Sequence, residues 1–184
     1  WLGKNAIDSA LSILREVKDY IAGVAKTIKL NPYLREPTVN IGKIKGGDKV
    51  NVVADWCEFE LDFRYLPKTK AENIITKLKN ICKKHAKNFE VIIDGVQEPY
   101  SISENHPLVK CLTRAIKKAN AKPFINGSDG ATVITFFQHK KIPAIATGFG
   151  VEGLAHTADE YVEIDTLYKG AQALEFFLKD YKFD

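Results

Sequence analysis

Apolar residues recur at helical spacing at the start of the chain. Ile7, Leu11, Leu14, Val17 and Ile21 fall on one face, which predicts an amphipathic helix with Asn5 placed to cap it. Beyond Pro32 and Pro37 the period shortens to two. Val39 and Ile41 alternate with polar residues up to Lys45-Gly46-Gly47-Asp48, which predicts a strand ending in a hairpin turn. The return strand is the clearest element. Cys57, Phe59, Leu61, Phe63 and Tyr65 alternate with Glu58, Glu60, Asp62 and Arg64, the pattern of an antiparallel sheet covered on one side only. Pro67 ends it, and Thr69-Lys70-Ala71-Glu72 predicts a capping box. The helix that follows carries Ile74, Leu78, Ile81, Cys82 and His85 on one stripe, and a further strand is predicted over 89–96. Together these elements describe an α+β sandwich over residues 1–97, with helices on the apolar face of the sheet.

Residues 97–101 read as a linker, after which the alternation changes. The pattern predicts a helix from Pro107, a short strand near Pro123–Ile125 and a helix from Asp129. A strand at Pro143–Ala146 and a long loop follow. The last helix is expected to start at Asp165 and to face inward through Leu167, Ala171, Leu174, Leu178 and Tyr181. Short apolar strands followed by glycine-containing loops belong to doubly wound sheets, and two of them are too few to stand alone. Residues 98–184 are therefore expected to be part of a larger α/β domain, and the whole chain is of the α/β class.

Composition narrows the function classes. Of 184 residues, 45% are hydrophobic and 27% charged, which excludes disordered, collagenous and coiled-coil chains. No apolar run reaches the roughly 20 residues of a membrane span, so no membrane partner is expected. The net charge of +4 comes mostly from dispersed Lys, with Arg only at Arg15, Arg35, Arg64 and Arg114; no nucleic-acid partner is expected from that pattern. Cys57, Cys82 and Cys111 are too few and too scattered for a disulfide framework, which points to a reducing cytoplasm. The chain opens on Trp1 and contains no Met, so it is expected to be a processed or trimmed part of a larger protein.

Ligands of open α/β sheets collect beyond the carboxyl ends of the strands. That rule selects the loop Asn126-Gly127-Ser128-Asp129-Gly130 and the stretch from Gly148-Phe149-Gly150 to Glu160, which includes His156. Imidazole both coordinates zinc and titrates near neutrality, so His156 is the leading candidate ligand or acid/base. Ser128 lacks the glycine two residues earlier that a nucleophile elbow needs, and Ser128 or Asp129 fits better as a helix cap. Cys82 and His85 fall on an apolar stripe and read as core residues, His106 as a cap beside Pro107, and His139 as solvated. Arg64 is either a surface ion pair with its acidic neighbours or a clamp for a carboxylate. One His cannot hold a catalytic zinc, which needs about three protein ligands.

Six short motifs stand in a telling order. They are Gly3-Lys4-Asn5-Ala6-Ile7, Asn40 through Gly47, Asn51-Val52-Val53, Asp62-Phe63-Arg64, Gly127-Ser128-Asp129, and Gly148-Phe149-Gly150 with Ala155 through Tyr161. In this order they resemble the dinuclear zinc amidohydrolases that include succinyl-diaminopimelate desuccinylase, acetylornithine deacetylase, aminoacylase and carboxypeptidase G. The resemblance implies a lid or dimerisation domain over residues 1–97, lacking its first strand. It implies the C-terminal portion of a zinc-binding catalytic domain over residues 98–184. It further implies that His156 is a metal ligand, that Asn51 and Arg64 bind the amide and carboxylate region of the substrate, and that Gly127, Ser128 and Asp129 line the pocket.

The same resemblance implies two zinc ions per complete site, with cobalt or manganese as alternatives, an N-acyl amino acid or peptide substrate, and a homodimer formed through the lid. The family's other metal ligands and its general-base Glu lie upstream of the opening motif, so this chain alone is expected to be inactive, with no catalytic residue of its own. Asn51 and Arg64 would be about 43 Å apart on one straight strand. They can serve one substrate only through a bend near Ala54-Asp55 or from different subunits. The alternative reading is a non-catalytic dimerisation or interaction module.

Overall fold

The computed structural model describes every residue except 1–2, 28–32, 129, 131–132, 152, 156 and 183–184. The chain divides into two compact units. The first comprises Trp1–Pro99 with Gly127–Ala131, the second Tyr100–Asn126 with Thr132–Asp184.

In the first unit, α1 (Ala6–Thr27) is followed by β1 (Thr38–Gly46), β2 (Cys57–Arg64) and α2 (Ala71–His85). Asn5 caps α1 as expected, its Oδ1 accepting from the Ile7 amide at 2.9 Å. The strands pair antiparallel, Gly46 opposite Cys57 at one end and Thr38 opposite Arg64 at the other. An irregularity between Ile41 and Lys43 accommodates Gly42 as the extra residue of a bulge. Every second residue of β2 is half-buried and the rest exposed, so its alternation sorts apolar from charged faces as expected. On the exposed face Lys43 pairs with Glu60 at 3.1 Å and Lys45 with Glu58 at 4.0 Å. The apolar face meets both helices. Ile13, Val17, Ile81 and Cys82 form a buried cluster, against which Val39, Phe59, Leu61, Phe63 and Val91 pack.

Three local expectations fail here. The two glycines do not close a tight hairpin: Gly47 takes a φ of 65° and begins an irregular loop over 47–56, whose Ala54 is buried and accepts from the Ala6 amide at 2.8 Å. The capping box is absent. Lys68 has a φ of 79° and the Thr69 amide turns back to the Leu66 carbonyl at 3.1 Å, so Lys70 becomes the N-cap and no side chain caps α2. Residues 89–96 form no strand, because β1 and β2 pair only with each other; alternation makes a strand only where a backbone edge is offered to it.

The second unit contains α3 (Pro107–Lys118), α4 (Ile134–His139) and α5 (Ile164–Asp180). His106 caps α3 as expected, its Nδ1 accepting from the Leu108 amide at 3.2 Å. Neither short strand is formed. Near Pro143 the Ala144 amide donates to the Tyr100 hydroxyl at 3.1 Å, a side-chain partner in place of a ladder. The helix expected from Asp129 begins only at Ile134, with Val133 as N-cap, and Glu163 rather than Asp165 precedes α5. The face of α5 is also reversed. Gly170 and Ala173 are its buried residues, whereas Leu167, Ala171, Leu174 and Leu178 are exposed.

Candidate functional site

The predicted residues fall in different local settings. Asn51 sits exposed in the irregular 47–56 loop, within a turn closed by the Val52 amide on the Lys49 carbonyl at 3.1 Å. Arg64 ends β2, and its Nε donates to Asp62 Oδ2 at 2.7 Å on the exposed face. An ion pair this open contributes little stability. The loop bearing Asn51 and the end bearing Arg64 lie at opposite ends of the hairpin. At about 3.3 Å per residue, roughly 23 Å of β2 separates those ends. The loop supplies the bend anticipated near Ala54, but the bend does not bring the two side chains together.

Gly127 belongs to the first unit and lies against the chain leaving α1. A Cβ there would collide with the Tyr33 carbonyl and stand 2.7 Å from Leu34 Cδ2, so only glycine fits. Ser128 Oγ accepts from the Gly130 amide at 3.1 Å, which makes it the brace of a local turn rather than the cap of a helix. Asp129 and His156 lie outside the described residues.

The remaining titratable groups serve structure. Burial pushes the thiols of Cys57 and Cys82 up, with Glu58 adding to the effect at Cys57; neither is a thiolate nucleophile at neutral pH. His85 Nε2 lies 2.7 Å from Glu16 Oε2, which also accepts from Lys84 at 2.8 Å. His85 is thus partnered, as its stripe suggested, but half-buried between α1 and α2 rather than in the core. Among the described residues no group of three His, Cys, Asp or Glu could hold a metal ion. The donors among the described residues therefore do not by themselves fit a metal centre, which needs about three protein ligands. Among the described residues no helix is long and apolar enough to cross a membrane.

Sequence reasoning passed over one feature of the second unit. Phe149, in the Gly148-Phe149-Gly150 loop, is held against α5 by Thr166, whose Oγ1 donates to the Phe149 carbonyl at 2.9 Å. The signal for it was Gly170, since a glycine inside a helix asks for a packing reason.

Comparison with known proteins identifies the first unit. Residues 1–90 match the M20_dimer family, described as a peptidase dimerisation domain. This part of the chain belongs to the M20 peptidase family. The chain is 32% identical over 138 residues to a LysW-lysine/LysW-ornithine hydrolase of Saccharolobus islandicus, covering 74% of this chain and 38% of that one. It is 24% identical over 181 residues to a succinyl-diaminopimelate desuccinylase of Ehrlichia canis, covering 98% and 46%. In fold it is similar to an M20 family metallo-carboxypeptidase from Sulfolobus solfataricus, with a TM-score of 0.70 and 23% identity over 97% of this chain and 53% of that one. It is likewise similar to the aminopeptidase PepT of Bacillus cereus, with a TM-score of 0.74 and 22% identity over 95% and 45%. The chain spans less than half the length of the two hydrolases it matches. The family resemblance drawn from the motifs holds, and so does the α/β class.

Proposed function

We propose that this chain is the lid and C-terminal catalytic portion of a metal-dependent amidohydrolase acting on N-acyl amino acids or small peptides. The observation that carries the reading is the first unit: helices on one face of an antiparallel hairpin, matching a peptidase dimerisation domain over residues 1–90. The relatives' names, a hydrolase of LysW-lysine and LysW-ornithine and a desuccinylase of succinyl-diaminopimelate, support a conjugated amino acid as the substrate class.

Within this reading His156 is a ligand to zinc, with cobalt or manganese as alternatives, and the other ligands and the general base come from sequence outside this chain. Arg64 binds the substrate carboxylate, a role suited to the planar guanidinium fork. Asn51 binds the amide region, and Gly127, Ser128 and Asp129 line the pocket. The separation of Asn51 and Arg64 along the hairpin supports a homodimer in which one substrate meets these residues from different copies. Three free cysteines are consistent with a cytoplasmic enzyme.

The test is substitution of His156 in the complete protein. His156→Ala is expected to lose bound zinc and to slow hydrolysis of N-acyl amino acids by about a hundredfold or more. Unchanged metal content and activity would reject the reading and leave a dimerisation module that works without metal chemistry.

A further inference from the structure

Gly170 sits inside α5, where almost any other residue would favour the helix more. The ring of Phe149 explains it. A Cβ at position 170 would run into Cγ, Cδ1 and Cε1 of that ring. One turn earlier Thr166 donates to the Phe149 carbonyl at 2.9 Å, sharing its hydroxyl with the Glu163 carbonyl at 2.7 Å. Residues four apart on a helix lie on one face, so α5 grips Phe149 by both its backbone and its ring. The neighbouring Gly148 and Gly150 have no such constraint, since a Cβ at either would meet nothing within 4 Å. Gly153, equally open, owes its glycine to a φ of 82° instead. Beyond Phe149 the chain is held by short turns: Leu154 donates to Val151 at 3.3 Å, and the Thr157 amide and hydroxyl both donate to the Leu154 carbonyl, at 3.1 and 2.7 Å. These bonds join the loop to itself, whereas Phe149 joins it to a helix.

We propose that Thr166 and Gly170 are positioning residues that, through Phe149, set the placement of the described residues of the following loop, Val151, Gly153–Ala155 and Thr157–Asp159. The importance of that placement rests on the reading of His156, which the loop carries in sequence, as a metal ligand. The anchor itself does not depend on it.

Hydrogen exchange of the 184-residue chain tests the anchor. Alanine is the better helix former, so without a ring to clear, Gly170→Ala would slow exchange in α5 and leave the loop unchanged. The anchor predicts the opposite for the loop, with amides between Val151 and Ala158 exchanging about tenfold faster. Phe149→Ala should loosen the same amides while leaving α5 untouched. Adding Gly170→Ala to Phe149→Ala should then have no further effect on the loop, because no ring remains to be displaced. Unchanged or slower loop exchange in Gly170→Ala overturns the proposal, as does additivity in the double variant. Zinc affinity of the complete protein separates the two readings. A loosened loop with weakened zinc binding supports both, and a loosened loop with unaltered zinc binding keeps the anchor while rejecting His156 as a ligand.

Discussion

The two units treat their helices differently. In the first, α1 and α2 bury most of the stripes that the sequence marks as apolar, Leu14, Val17 and Ile21 on one and Ile74 and Ile81 on the other. Leu11 of the marked stripe is exposed, however, and Ile13, outside it, is buried. Those stripes meet the apolar face of the hairpin, so helix and sheet complete each other within the unit. In the second, α5 buries small residues against its neighbours and leaves Leu167, Leu174 and Leu178 exposed by 45%, 36% and 63%. Phe124, Phe136 and Ile164 are open as well, each near 70%. A helix that is apolar on two sides is suited to lie between two layers. Leu167, Ala171, Leu174 and Leu178 recur at helical spacing, so they form one exposed apolar face of α5. The first unit thus buries a core between its helices and its sheet, although Leu11, Val50 and Ile92 stay exposed there as well, and the second leaves an apolar face of α5 open. This contrast agrees with the proposal that further sequence completes the catalytic domain.

The largest expected effect separates a closed core from an open face. Ile81, 2% exposed within the buried cluster, should lose about 2–5 kcal/mol of stability as Ile81→Ala. Leu178→Ala removes a side chain of similar size from a position 63% exposed and should cost less than about 0.5 kcal/mol. Urea unfolding followed by the fluorescence of Trp56, which lies in the first unit, in a Trp1→Phe background that leaves it the sole tryptophan, measures the former; far-UV circular dichroism follows both. Equal losses for the two variants would break the contrast and show that the face of α5 is covered in solution.

The same contrast explains what could be read from the sequence. The first unit was legible because its periodicities are satisfied locally. Cys57 to Arg64 alternates along one strand, and its partner strand and covering helices lie within the same hundred residues. The departures there are matters of backbone detail: the long 47–56 loop, the positive φ of Lys68, and the unpaired stretch over 89–96. The second unit was less legible because apolar runs such as Pro123–Ile125 carry the composition of a strand but meet no ladder. Likewise, the stripe on α5 shows which residues are apolar, not which face is covered. Around the candidate site, the ion pair of Arg64 with an acidic neighbour and the cap at His106 were legible in residue types, whereas the helix cap expected of Ser128 is a local turn instead. The spacing of Asn51 and Arg64 already implied that the hairpin holds them apart, but nothing in the Gly148-Phe149-Gly150 motif showed that Thr166 grips it.

A smaller effect sharpens the comparison by asking how the closed unit holds its helices together. Glu16 on α1 accepts from Lys84 and His85 on α2, and these hydrogen bonds, Lys84 first, hold its carboxyl below the ordinary value of 4.5. A depressed carboxyl contributes stability that is fully present above its unfolded value and is lost as pH falls through the folded one. Glu16→Gln should therefore lower the urea midpoint of the Trp56 transition at pH 7, with the difference from the parent chain closing progressively below about pH 4.5. A difference that persists unchanged at pH 3 would mean that the carboxylate charge is not what joins α1 to α2.

The smallest effect lies on the alkaline side, at the end of the same unit. The Tyr65 hydroxyl reaches the Gln97 carbonyl at a long 3.5 Å. Burial first, and then the nearby charges of Glu98 and Glu72, push its ionisation up from 10.0 to about 12. The folded state thus keeps this proton at pH values where the unfolded chain has released it. The associated stability is complete below pH 10 and drains away as pH rises toward 12. Tyr65→Phe removes that dependence together with the weak hydrogen bond. The variant should show a flatter alkaline limb in the Trp56 transition and lack a phenolate appearing near pH 12 in the ultraviolet titration. Every other group is common to both proteins, so the difference between the two curves isolates Tyr65. If the contact closes the first unit at this end, the difference is confined to Trp56 fluorescence and leaves the helices of the second unit unchanged. Identical alkaline limbs would show that residues 97–98 do not shield the phenol, and that the first unit is less closed at this end than at its helix-covered face.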